Sequence, residues 1–133
     1  MLCHGMDQVH LTVRNLPRAL EFYEMVLADL GFQRGYIVPD EVIAFFGPFH
    51  LWLWQCKDEF KKERYSAHKP GIKQISFRVR KRRDVDDFYE MLVRNKVKVL
   101  AEPQEYPKLQ RDYYAVHFSD PDGVRLEVVF RPT

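Results

Sequence analysis

The chain states one pattern twice: QVHLTVRNLPRALEFYEM from Gln8 and QISFRVRKRRDVDDFYEM from Gln74, each ending in Phe-Tyr-Glu-Met. Phe22 and Phe88 lie 66 residues apart, and at that offset Gln8/Gln74, Val13/Val79 and Arg14/Arg80 are also identical. Val9/Ile75, Leu11/Phe77 and Leu27/Val93 are apolar in both copies. A repeat of this length marks a supersecondary unit that is built twice.

Each copy opens with alternation. Val9, Leu11 and Val13 face opposite to Gln8, His10 and Thr12, while Ile75, Phe77 and Val79 face opposite to Gln74, Ser76 and Arg78. Period two makes a strand with one apolar and one polar face. The period then lengthens: Leu16, Ala19, Leu20, Tyr23, Val26, Leu27 and Leu30 share one stripe of a helix, as do Val85, Phe88, Tyr89 and Leu92. Asn15 suits an N-cap, Pro17 the first turn and Gly31 a left-handed C-cap. Asp84, Asp86 and Asp87 suit the positive start of the second helix, which Asn95 can end. Short strands are expected at 32–37, 42–46 and 50–56, then at 97–101, 113–119 and 124–130, with a tight turn at Asp120–Gly123. The predicted unit is βαβββ, spanning about residues 6–56 and again about 72–132, with a polar linker at 57–71. One such unit leaves an apolar sheet face under-covered and an edge unpaired, which a second unit can remedy.

At 133 residues the chain has the size of one domain, with enough apolar residues (46%) for a core without disulfides. Cys3 and Cys56 form no motif, so a reducing cytoplasm is the expected setting. No run reaches the roughly 20 apolar residues of a membrane helix, and MLCHGMDQ has no signal-peptide pattern. A net charge of +2 is too mild to argue for nucleic acid. The densest basic run, RVRKRR at Arg78–Arg83, reads first as solvated strand-end and turn side chains and second as a phosphate patch. P-loop, GxGxxG and GxSxG motifs are lacking, which leaves nucleophilic catalysis without support.

A doubled βαβββ unit, a helical Phe-Tyr in each copy and DPDG before the terminal strand VRLEVVF together resemble the vicinal oxygen chelate superfamily. That group includes glyoxalase I, bleomycin and fosfomycin resistance proteins, extradiol dioxygenases and methylmalonyl-CoA epimerase. The resemblance runs from Gln8 to Pro132. It implies an α+β fold in which two βαβββ units pair mixed sheets into an incomplete barrel, with polar inner faces lining a cup and helices outside. It also implies a homodimer and, in the metal-dependent members, a divalent Ni, Zn, Mn or Fe ion held by first-strand and last-strand residues. Carried over by position, those places fall on Gln8, Gln74, Glu127 and Trp52, where metal-dependent members usually have His at the place of Gln74 and commonly a carboxylate at that of Trp52.

Two amides, one carboxylate and an indole that only donates make a poor divalent-metal set. A metal is therefore not expected, unless His10, His50 or His117 joins Gln8, Gln74 and Glu127. By alternation the cup would be lined by Gln8, His10, Thr12, His50, Trp52 and Trp54 from the first unit. The second would supply Gln74, Ser76, Arg78, Ala115, His117, Arg125 and Glu127. Trp52 and Trp54 could stack a planar ligand or simply fill the cup. Glu127 reads as a structural ion-pair partner of Arg78 or Arg125, or as a base with a raised pKa. Three functions follow: metal-free binding of a small organic ligand, a metal-dependent lyase, isomerase or transferase of the glyoxalase or fosfomycin-resistance type, or a scaffold with a filled cup.

Overall fold

The two stretches of alternating apolar residues each become a strand that feeds directly into a helix. In the computed structural model, which describes residues 1–133, the chain divides into two units, Met1–Glu63 and Arg64–Thr133. The first contains β1 (Gln8–Val13), α1 (Leu16–Asp29), β2 (Gln33–Val38), β3 (Val42–Phe46) and β4 (His50–Gln55), followed by one 3₁₀ turn at Asp58–Phe60. The second contains β5 (Ile75–Val79), α2 (Arg82–Arg94), β6 (Val99–Glu105), β7 (Tyr114–Ser119) and β8 (Arg125–Phe130). Each unit is βαβββ, and each has one open four-stranded mixed sheet, ordered β1-β4-β3-β2 and β5-β8-β7-β6. The outer pairs β1/β4 and β5/β8 are parallel and the remaining pairs antiparallel. No helix is long and apolar enough to cross a membrane.

Local chemistry sets the boundaries. Asn15 is extended (φ −141°), and its Oδ1 accepts from the Arg18 N–H at 3.0 Å, capping α1. Gly31 follows the helix at φ +85°, a left-handed turn that a Cβ would strain. The second helix starts at Arg82, before its acidic cluster, and Asp84 reaches back to accept from the Lys81 N–H at 3.1 Å. The largest departure from expectation is β6, which starts at Val99 and continues to Glu105 instead of covering 97–101. Pro103 falls within it. β6 is an edge strand with register shifts on both sides of Ala101, and an edge tolerates a residue that cannot donate.

In both units the apolar face of the sheet packs against its own helix. Leu51 and Leu53 of β4 are fully buried with Tyr23, Val26 and Leu27 of α1 in unit one, as are Leu126 and Val128 of β8 with Val85 and Leu92 of α2 in unit two. Yet the repeated tetrapeptide is not used in the same way. Tyr23 is wholly buried in α1 and Phe22 only partly, whereas in α2 Phe88 is buried and Tyr89 partly exposed, its hydroxyl donating to Glu102 at 3.2 Å. Leu27 is 0% exposed and its counterpart Val93 52%, so the two helices present faces about one residue apart to their sheets. Deleting a fully buried aromatic ring costs about 3–5 kcal/mol. Phe88→Ala should therefore destabilise the protein by at least about twice as much as Phe22→Ala, and Tyr23→Ala by more than Tyr89→Ala. Urea unfolding of the four variants measures both orders.

Candidate functional site

The faces turned away from the helices carry the chemistry. In unit one the parallel register sets Gln8 beside His50, His10 beside Trp52 and Thr12 beside Trp54. Partners share a face, so these six residues form one surface. His10 is held at both nitrogens. The Trp54 indole N–H donates to Nδ1 at 2.8 Å, and Nε2 lies 2.9 Å from Gln8 Oε1. An indole can only donate, so Nδ1 accepts and the proton of the neutral ring sits on Nε2, pointing at Gln8. The imidazole stacks on Trp52 at 5.5 Å between centroids and 8° between planes, and Trp52 stacks on Trp54 at 6.4 Å. Phe46 packs on His50 at 4.4 Å and Tyr36 on Trp52 at 5.8 Å, extending an aromatic shelf. Within that shelf the Trp52 indole N–H is buried and has no acceptor.

Unit two has the same register, with Ser76 beside Glu127 where unit one has His10 beside Trp52. Trp52 and Glu127 thus hold equivalent places, although their surroundings differ. Glu127 is 1% exposed and His117 6%. Tyr113 donates its hydroxyl to Glu127 Oε1 at 2.7 Å, while His117 Nε2 lies 2.8 Å from Oε2. A carboxylate only accepts, so the His117 Nε2 carries a proton, and Nδ1 meets the Tyr106 hydroxyl at 3.1 Å. Gln74 donates to Ser76 Oγ at 3.0 Å.

Two expectations for Glu127 are corrected here. It pairs with neither Arg78 nor Arg125: Arg78 Nη2 donates to the Arg131 carbonyl at 3.0 Å, and the buried Arg125 Nε has no acceptor. Nor is its pKa raised. Burial pushes the carboxyl up, but hydrogen bonds from His117, Ser76 and Tyr113 outweigh it and leave the group below the usual carboxylate range. Burial and the hydrogen bond to Glu127 push the Tyr113 phenol well above its ordinary value, so it remains a donor.

Tyr106 and Tyr113 were missed as site residues. They flank the β6–β7 loop, 106–113, which is longer than the corresponding β2–β3 turn at 39–41 and is closed by the Tyr106 N–H donating to the Tyr113 carbonyl at 2.9 Å. Tyr113 was accessible from alternation, since it precedes Ala115 and His117 at period two. Tyr106 had no such signal, because the irregular register of β6 decides where it arrives.

The four places tied to a metal by resemblance are two amides, one carboxylate and one indole. Gln8 Oε1 already faces the His10 N–H, both Glu127 oxygens are engaged, and Trp52 offers no lone pair. Within neither unit do three His, Cys, Asp or Glu side chains converge in a way that could hold a metal. His10 is hydrogen-bonded at both ring nitrogens, His50 packs its ring against Phe46, and His117 is bonded to Glu127 and Tyr106.

Two outcomes follow from this geometry. Because folded Glu127 titrates below its unfolded value of about 4.5, the ionised group stabilises the protein above that pH, and the contribution is lost as pH falls through the folded value. In Glu127→Gln the urea midpoint should therefore change less than in wild type between about pH 6 and about pH 3. Trp54→Phe removes the donor that fixes the His10 tautomer, so ¹⁵N NMR should show a single Nε2–H form in wild type and a mixture in the variant.

Residues 5–128 match the model of the Glyoxalase/Bleomycin resistance protein/Dioxygenase superfamily. Metallothiol transferase FosB of Staphylococcus haemolyticus is 29% identical over 93% of this chain and 81% of its own length. A glyoxylase/bleomycin resistance protein/dioxygenase domain from Frankia has a similar fold, with a TM-score of 0.81, 22% identity and coverage of 98% and 100% of the two chains. Lactoylglutathione lyase from Agrobacterium tumefaciens superposes with a TM-score of 0.72 at 21% identity, covering 96% of this chain and 94% of that one. With the family model spanning both βαβββ units, the chain belongs to the Glyoxalase/Bleomycin resistance protein/Dioxygenase superfamily.

Proposed function

We propose that this protein binds a small organic ligand on the polar faces of its sheets, without a tightly held divalent metal. The observation that carries this reading is one buried, unpartnered N–H donor in each unit: Trp52 Nε1 in the first and Arg125 Nε in the second. A buried donor without an acceptor costs about 1–3 kcal/mol, and a ligand acceptor would relieve that cost. Around Trp52 the stacked rings of His10 and Trp54 favour a planar group bearing such an acceptor. Gln8, Thr12 and His50 border the shelf on its face. In unit two Gln74, Ser76, Arg78 and His117 would contribute polar contacts around Arg125 and Glu127. Family analogy supports a homodimer as the working form, and the free cysteines Cys3 and Cys56 fit a reducing cytoplasm.

A second reading draws on the similarity to a metallothiol transferase. There Glu127 would be a ligand, with Gln8, Gln74 and one of His10, His50 or His117, in a metal-dependent transferase, lyase or isomerase. In that role Glu127 would coordinate through the acceptor capacity left by its bonds to Tyr113, His117 and Ser76, or exchange one of those bonds for the metal. The two readings separate by metal analysis of untagged protein purified without chelator, before and after incubation with Ni²⁺, Zn²⁺ and Mn²⁺. Substoichiometric metal, unchanged in Glu127→Ala, is expected; stoichiometric metal lost in that variant contradicts the proposal.

Ligand binding is tested by thermal-shift screening of planar aromatic compounds, followed by calorimetry of the best one. Trp52→Phe keeps the ring and deletes the N–H, and should weaken that compound by about three- to tenfold. Unchanged affinity in the variant would remove Trp52 from the site.

A further inference from the structure

The basic run Arg78–Arg83 divides in two. Arg82 bonds Glu105 at 2.9 Å and lies 4.1 Å from the Tyr114 ring centroid, while Arg83 pairs with Asp87 at 3.7 Å. Arg78 and Arg80 instead line a cavity of about 420 Å³ beyond the ends of β5 and β8, joined there by Arg131. Val79, Phe130, Pro132 and Thr133 complete its wall, which includes no acidic side chain. None of the three arginines takes part in an ion pair, in contrast to Arg34, Arg82, Arg83 and Arg111. Arg78 is partly fixed by its bond to the Arg131 carbonyl at 3.0 Å, which leaves the rest of its fork free.

Arg78 and Arg80 are exposed and Arg131 is half-buried, so solvent screens most of their mutual repulsion and a bound counter-charge removes the remainder. The guanidinium fork matches the oxygens of carboxylate and phosphate groups, and the volume falls within the roughly 300–1,000 Å³ of small-ligand sites. Three guanidinium groups converging on one hollow suit a dianion better than a monoanion. The apolar side chains of Val79, Phe130 and Pro132 offer contact to whatever carries it.

We propose that the cavity lined by Arg78, Arg80 and Arg131 binds a phosphate-class oxyanion, the charged group of a small molecule. This site lies further along β5 and β8 than Ser76 and Glu127, and it does not depend on the binding mode assigned to the aromatic shelf.

Inorganic phosphate serves as the probe, titrated at constant ionic strength by calorimetry and by NMR of the arginine Nε–H resonances. Saturable binding to one site is expected, shifting the Arg80 and Arg131 signals, with acetate clearly weaker. Arg80→Gln and Arg131→Gln should each weaken phosphate by about tenfold, the cost of a lost charge-assisted bond. Arg64→Gln removes the same charge from an exposed position outside the cavity and should leave affinity unchanged. Non-saturating shifts, acetate binding as well as phosphate, or equal weakening by Arg64→Gln would each overturn the proposal.

Discussion

The parallel register of first strand on last strand is the constraint on which both units depend. It sets Val9 beside Leu51 and Ile75 beside Leu126 on one face, and His10 beside Trp52 and Ser76 beside Glu127 on the other. A slip of one residue would exchange the faces, expose the leucines and drive His10, Gln8 and Glu127 against the helix. The hydrophobic packing of α1 and α2 therefore fixes the chemistry of the opposite face. This link from core to site lets two units of different composition present equivalent positions.

Equivalent positions have diverged because their surroundings have. At the place shared by Trp52 and Glu127, the first unit has a short turn at 39–41, and the space is taken by stacked rings. The second has the 106–113 loop, whose flanking tyrosines approach from the β6–β7 end and bind the acid and its histidine. An acid buried at 1% exposure is stable as an anion only when donors replace water. Here Tyr113, His117 and Ser76 supply them, which explains why burial does not raise the pKa. The same donors take up most of the carboxylate's acceptor capacity.

Alternation was sufficient to place most of the polar face, since period two assigns each strand residue to a side without knowledge of its neighbours. The equivalence of Trp52 and Glu127 followed from the aligned Leu51/Leu126 and Leu53/Val128. The partners of Glu127 were hidden because hydrogen bonds join residues across strands and loops, and an irregular edge strand decides where Tyr106 arrives. The identical Phe-Tyr-Glu-Met motifs also concealed a difference, because flanking residues set which side of each helix is buried: Leu27 in one, exposed Val93 in the other. Arg78–Arg83 looked like one feature until Glu105 and Asp87 took part of it.

The central claim is that Glu127 is an internally satisfied carboxylate. The most direct measurement is a ¹³C NMR titration of the Glu127 side-chain carboxyl, repeated with excess Mn²⁺. A midpoint below that of an ordinary glutamate, with no paramagnetic broadening of its resonance, is the predicted result. A midpoint at or above the ordinary value, or broadening of the Glu127 resonance at stoichiometric Mn²⁺, would contradict it.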